Sequence, residues 1–481
     1  MKKLIQKFFQ NYIEITTILI FSTFGMLGKL GVVELQPMGS ATHAAIAREI
    51  LRSGNWLNLQ WPFVGNFYQF PPLFFWLQAI TFKIFGISDI TAKFTSSFFG
   101  ILTILATFYL GKLLLDNYSA FLSSMVIILT PYFFRHSRKC ELETILIFFI
   151  TLGIIFFVLS EKKNNEKFLL LSGLACGLGF FAKGPPAFAV WGSIATYYLF
   201  TKQYKKFLSV YFWCGVLISI LVPSIWFVLQ FIYGGEAFRG FFVNQVLLKI
   251  KGGDRPATNF VEKFLNYTFF FRAFFSYYLP WSIVGLWGVR KIVKERIQSM
   301  YILLLWVIVV WIGFTIPMYK DDYYLLAMYP GWAVICGIIL AKWTSNISQK
   351  IIFYSFILSI VFAVVTLFTP IKFDKTRNPE FKLLASEVKT IVPVNEKIIT
   401  YDFYPYDMMS LIPWYMDRAA YPIVNNESDF ISLLSSSETK FFIVQKEHFD
   451  YFSQKISLYP LYYCGRVVFG SNKKLFEPKI K

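Results

Sequence analysis

The chain is organised by eleven apolar runs, near residues 12–33, 90–114, 118–133, 144–160, 168–182, 186–200, 208–232, 268–289, 299–318, 324–341 and 350–369, parted by polar joints, most of them short. A stretch of ~20 apolar residues matches the hydrocarbon thickness of a bilayer, and inside it only a helix satisfies every backbone N–H and C=O. Some of the runs fall short of that length, so their ends are set only to within a few residues. Composition agrees: 56% of the 481 residues are hydrophobic and 16% charged, which is too apolar for a water-soluble chain of this size. The expected fold class is a polytopic α-helical membrane protein with about 11 transmembrane helices.

The net charge of +19 does not mark a nucleic-acid binder, because the cations sit between apolar runs. Lys2, Lys3 and Lys7 precede the first run, and EKKNNEK (161–167), KQYKK (202–206), RKIVKER (290–296) and the 342–350 stretch fall in alternate joints. The positive-inside rule puts all of these in the cytoplasm. The N-terminus is then cytoplasmic, the end of the chain lies outside, and the protein is a multi-pass protein of the cytoplasmic membrane. The first 33 residues have no small-residue cleavage site and read as a retained span. Cys140, Cys176, Cys214, Cys336 and Cys464 are scattered with no CxxC, so neither a disulfide framework nor a zinc site is indicated.

Two domains follow. Residues 1–370 form the transmembrane domain, whose first outer loop, 35–91, holds two amphipathic interfacial segments, ATHAAIAREILRSG (41–54) and PPLFFWLQAITFKIFG (71–86). Residues 371–481 contain the strand-like KIITY (397–401), AAYPIV (419–424), KFFIVQ (440–445) and LYYCGRVVF (461–469), with helix-like 378–391 and 427–436 between them. Asn426 or Ser428 is placed to cap the second of these helices. This part reads as a small α/β domain outside the membrane.

Three outer joints break the positive-inside rule: PYFFRHSRKCELE (131–143), AKGPP (182–186) and PMYKDDYY (317–324). A cation kept on that side usually has an anionic partner. Lys183 ends one apolar run, and Pro185 and Pro186 start the next, where a helix N-terminus adds positive potential that suits a phosphate. The plainer reading is that Lys183 snorkels to lipid headgroups. Arg135, Arg138 and Lys139 carry the same two readings.

The 45–100 stretch, SRKCELETILIFF (137–149), GLACGLGFFAKGPPAF (173–188) and PMYKDDYYLLAMYPGWA (317–333) together resemble the GT-C-type polyprenyl-phosphate-dependent membrane glycosyltransferases. The nearest groups are the lipid A aminoarabinose transferases and, more distantly, the protein O-mannosyltransferases. The resemblance covers nearly all of the membrane part. It implies transfer of a sugar from a polyprenyl-phosphate carrier to a lipid, glycan or protein acceptor at the outer face of the membrane. On this resemblance Lys183, Arg138, Lys320 and Tyr324 are the donor-phosphate residues, and Glu143 carries the acidic role. His43, Gln69 and Lys249 are candidates for an acceptor-binding or other role in the site. A divalent cation is implied by the family, although no ligands for it are evident in this sequence.

The chain departs from the family where acids are expected. PMGSATHAA (37–45) has none, Gln69 and Phe70 stand where relatives carry an acid and a lysine, and FFVNQVLLK (241–249) has Asn244 and Gln245. Glu34 is the nearest acid to the first of these sites, either a catalytic carboxylate or the end of a span. His43 is either a base or a satisfied histidine, and Asp321 and Asp322 read as loop solvation rather than metal ligands. Three functions remain open: an active transferase, a relative that binds the lipid-linked sugar without transfer, and an anionic-lipid transporter. The last is disfavoured by the lack of paired internal repeats.

Overall fold

A computed structural model describes residues 12–233, 235–251, 260–369, 378–421 and 424–480. The described chain divides into two compact units, one of residues 1–30, 68–77 and 93–373 and one of 31–67, 78–92 and 374–481.

The described residues of the first unit form helices and the joints between them. Among the described residues five helices are long and apolar enough to cross a membrane, or six if the pair Asn117–Ile128 and Pro131–Ser137, bent by 68°, is one span. The other apolar runs of the sequence fold as shorter pieces. Pro280 divides the 268–289 run into Phe269–Tyr277 and Trp281–Lys294, since proline lacks the N–H and clashes with the preceding turn. Pro185 and Pro186 open a 3-10 turn, Pro185–Phe188, ahead of Ala189–Phe200.

Helix Glu143–Lys163 turns back at Asn164 into Phe168–Lys183, which packs on Val210–Ile232. Small residues allow this approach. A Cβ on Gly173 would stand 2.1 Å from the carbonyl oxygen of Gly215, so the two backbones touch where any side chain would part them. Buried hydroxyls such as Thr151 and Ser193 bond to carbonyls one turn back and so bring no unpaired polar group into the apolar packing. Val210–Ile232 and Ser348–Phe368 leave large apolar side chains exposed, including Phe231 and Phe368, which is the surface a helix presents to lipid.

The second unit carries a hairpin of β1 (Gln60–Trp61) and β2 (Gly65–Asn66) and a six-stranded mixed sheet. The sheet's strands are β3 (Lys397–Thr400), β4 (Ala419–Ala420), β5 (Phe441–Gln445), β6 (Tyr459–Cys464), β7 (Val467–Ser471) and β8 (Lys479–Ile480), in the order β4-β3-β5-β7-β6-β8. β3 runs parallel to β4 and β5, and β7 runs antiparallel to β5 and β6. The stretch 461–469, expected as one strand, is a turn between two: Gly465 has φ 56° and reverses the chain there. Among the described residues of AAYPIV, Ala419 and Ala420 pair with β3, and Val424 bridges to Tyr401. Asn426 caps Glu427–Leu434 by accepting from the N–H of Ser428. The interfacial segments fold as Gly39–Ser53 and Leu73–Phe85.

One buried carboxylate ties this unit together. Asp89, 9% exposed, accepts from Lys382 Nζ at 2.7 Å, Trp414 Nε1 at 3.0 Å and the Tyr415 hydroxyl at 3.2 Å. The Tyr415 oxygen in turn accepts from the N–H of Leu35. Burial and the charge of Asp89 push the Tyr415 phenol far above its ordinary value, so it stays a donor.

Candidate functional site

Residues from all four family-like stretches line one cavity of about 390 Å³ in the first unit: Phe70, Glu143, Lys183 with Pro185 and Pro186, and Tyr323 with Tyr324. Leu146, Phe241, Val310 and Phe314 supply much of the remaining wall, which is mainly apolar.

Lys183 is the last residue of its helix and Glu143 the first of the helix packed beside it. The hairpin therefore brings them to one end, where their side chains form an ion pair, each only 9% exposed. Both helix ends favour this arrangement, because a carboxylate suits an N-terminus and an ammonium a C-terminus. On its other side the Lys183 nitrogen lies 5.0 Å from the Tyr323 ring centre and 5.5 Å from that of Tyr324. Tyr324 stacks on Phe314 at 4.9 Å, and the Tyr323 hydroxyl donates to Asp321 at 2.7 Å. Behind Tyr323 stands the ring of His136, itself bonded to Glu141 at 3.0 Å.

Gly184 fixes the exit from Lys183. Its φ of 111° and ψ of −150° lie outside what a side chain tolerates, and a Cβ there would meet the Phe241 ring at 2.6 Å. The Lys-Gly-Pro-Pro order thus stops one helix, swings the chain and starts the next at a fixed angle.

Of the residues singled out in the sequence, Glu143, Lys183 and Tyr324 come together here. Arg138 does not line the cavity: its guanidinium donates to the carbonyls of Gly25, Met26 and Gly28, at the end of helix Ile13–Leu27. Lys320 is likewise turned to its own surroundings, donating to Asn266 Oδ1 and Thr315 O at 2.8 Å each and to Pro317 O. Burial pulls its ammonium down to about 8. Gln69 is exposed. Glu34, half-buried, and His43, buried on Gly39–Ser53, belong to the second unit. The side chain of Lys249 lies outside the described residues.

Tyr323 is the site residue that the sequence reading passed over. Its signal was adjacency to Tyr324: both belong to the 3-10 segment Asp322–Met328, and the Lys183 nitrogen lies over both rings. The donor set does not fit a divalent cation. Glu143 is the one carboxylate among the described lining residues and is bonded to Lys183, whereas such ions take several oxygen ligands. Among the described residues no group of three or more His, Cys, Asp or Glu is placed to hold a metal.

Among the described lining residues the cavity is apolar but for the Glu143–Lys183 pair and the two tyrosines. The family model described as dolichyl-phosphate-mannose-protein mannosyltransferase matches residues 69–228. The fold is similar to that of ArnT from Cupriavidus metallidurans, solved bound to undecaprenyl phosphate, with a TM-score of 0.76 at 12% identity over 95% of this chain and 98% of that one. Among sequence relatives, an uncharacterized protein of Aquifex aeolicus is 25% identical over 71% of this chain and 67% of its own length. The undecaprenyl phosphate-alpha-4-amino-4-deoxy-L-arabinose arabinosyl transferase of Pectobacterium atrosepticum is 24% identical over 64% of this chain, an alignment that spans 55% of that protein. The chain thus resembles the GT-C-type polyprenyl-phosphate-dependent glycosyltransferases in family match, in relatives and in fold.

Proposed function

We propose that this protein moves a sugar from a polyprenyl-phosphate-linked donor to a lipid, glycan or protein acceptor at the outer face of the cytoplasmic membrane. Its N-terminus is cytoplasmic and residues 371–481 are outside, as the alternation of basic joints supports. The observation that carries the reading is Lys183, buried at the end of an apolar cavity against Tyr323 and Tyr324. The names of the arabinosyl transferases and the lipid bound to the Cupriavidus protein support a polyprenyl phosphate as its guest.

In the reaction the bond from the anomeric carbon to the phosphate oxygen breaks, and its electron pair leaves on the phosphate. An acceptor oxygen forms the new bond to the same carbon. Charge grows on the leaving phosphate as the sugar becomes cation-like, so a fixed ammonium beside it stabilises the transition state more than the ground state. The apolar wall strengthens that effect by excluding water. A hydroxyl acceptor must also give up a proton, and Glu143 is the carboxylate at the cavity that can take it, with Glu34 the weaker candidate. An anionic acceptor such as a lipid phosphate has no proton to lose and needs neither.

A non-transferring binder is the second reading. It is favoured by Glu143, the single carboxylate among the described lining residues, being already bonded to Lys183. The test is transfer of labelled sugar to a native lipid extract by wild type, Glu143→Gln and Glu34→Gln, with chelator in parallel. Loss with Glu143→Gln alone supports a hydroxyl acceptor, and activity in both variants without a chelator effect supports an anionic one. Tight carrier binding with no transfer by wild type to any extract overturns the enzyme reading.

A further inference from the structure

We propose that Glu143 is a displaceable counter-ion. Its carboxylate holds Lys183 until an incoming lipid phosphate takes its place on the ammonium, and its return expels the product phosphate. This rests on the phosphate reading of Lys183 and adds to it a rule for which phosphate the cavity prefers.

The geometry carries the argument. Lys183 is paired with Glu143 and lies over the faces of two tyrosines, and both members of the pair line the cavity. The backbone that follows Lys183 is fixed by Gly184 and the two prolines, so exchange falls to the carboxylate. The nearby anions already have partners: Asp321 accepts from the Tyr323 hydroxyl, and Glu141 bonds His136 and lies 3.8 Å from Lys139. Among the described lining residues Lys183 and Glu143 are the charged ones and cancel each other, so these residues offer no net charge to a ligand until the pair opens.

A phosphate held on Lys183 must sit close to Glu143, and their repulsion grows in proportion to the phosphate's charge. The donor is a phosphodiester with one negative charge. The product is a monoester, which near neutral pH carries about 1.5–2 charges. Glu143 therefore penalises the product more than the donor. A neutral residue at this position would trap the carrier after transfer, because a buried cation facing a dianion has no competing partner.

The experiment uses the purified full chain in nanodiscs and two probes, undecaprenyl phosphate and its methyl phosphodiester, with affinities measured at pH 8. Wild type is expected to bind the diester at least as tightly as the monoester. Glu143→Gln is expected to tighten the monoester by ~10-fold or more and the diester by less. An unchanged or weakened monoester affinity in Glu143→Gln overturns the inference. So does a ~10-fold preference of wild type for the monoester, and this comparison decides the matter if the variant does not fold. Binding of neither lipid by wild type overturns the phosphate reading itself, and the inference with it.

Discussion

Lys183 closes one helix of a hairpin, and its ammonium is bonded to Glu143, which opens the other. The same lysine is therefore a stabilising residue as well as a phosphate candidate. Removing one partner of a buried ion pair leaves an uncompensated charge and costs ~3–5 kcal/mol, whereas replacing both by apolar residues is often neutral. Lys183→Ala is expected to lower the unfolding midpoint and to reduce transfer by ~10²–10³-fold. The double change Lys183→Met with Glu143→Leu should restore the midpoint in a thermal melt and leave transfer lost. Recovery of activity in the double variant would remove Lys183 from the reaction.

Gly184→Ala is expected to cost ~1–3 kcal/mol, because the residue occupies a backbone region that side chains rarely adopt. The new methyl would also press on the Phe241 ring in the cavity wall. Carrier affinity should fall along with the melting midpoint, and an unchanged affinity would show that this turn does not set the position of Lys183.

In the second unit, Asp89 and Lys382 are unequal partners. Asp89 is buried and accepts three hydrogen bonds, while the Lys382 side chain is 39% exposed. Asp89→Ala leaves the Trp414 N–H and the Tyr415 hydroxyl without their carboxylate, at ~1–3 kcal/mol for each donor left unsatisfied. Lys382→Ala should cost less, because the partly exposed ammonium is the partner water can replace and Asp89 keeps its two other donors. Limited proteolysis of residues 378–416 should accelerate strongly in the first variant and little in the second. Equal acceleration would contradict this division.

Lys320 gives a pH dependence of known sign. Its folded-state value, about 8, lies below that of a free lysine because burial penalises the charge. Between about 8 and the ordinary value of ~10.4 the unfolded chain holds the proton more tightly than the folded one, so stability rises with pH across that window. The melting midpoint of wild type relative to Lys320→Met should increase from pH 7.5 to pH 10. A flat difference would mean that the Asn266, Thr315 and Pro317 oxygens hold the proton against burial.

The helices were legible because a membrane interior leaves the backbone no other choice, so apolar run and helix coincide from Glu143–Lys163 to Ser348–Phe368. Breaks inside runs were harder to read, since Pro280 ends a helix while Pro223 stays within one, and only packing separates the two cases. The strand-like 461–469 hid its turn because Gly465 was the sole punctuation. Within the site, the sequence marked cations but not what they touch. Arg138 and Lys320 carry the same charge as Lys183, yet their partners are mostly backbone carbonyls, which no side-chain pattern announces. The Glu143–Lys183 pair spans 40 residues and meets only because the two helices fold back on each other.

The central claim is that the Lys183 cavity holds the phosphate a sugar leaves behind. It is tested most directly by release of free polyprenyl phosphate from a labelled lipid-linked sugar, with purified wild type and Lys183→Ala compared in the presence of a native lipid extract. The account predicts release by wild type, matched mole for mole by labelled sugar appearing on an acceptor, and release lower by ~10²–10³-fold in the variant. Equal release by wild type and a folded Lys183→Ala would contradict it.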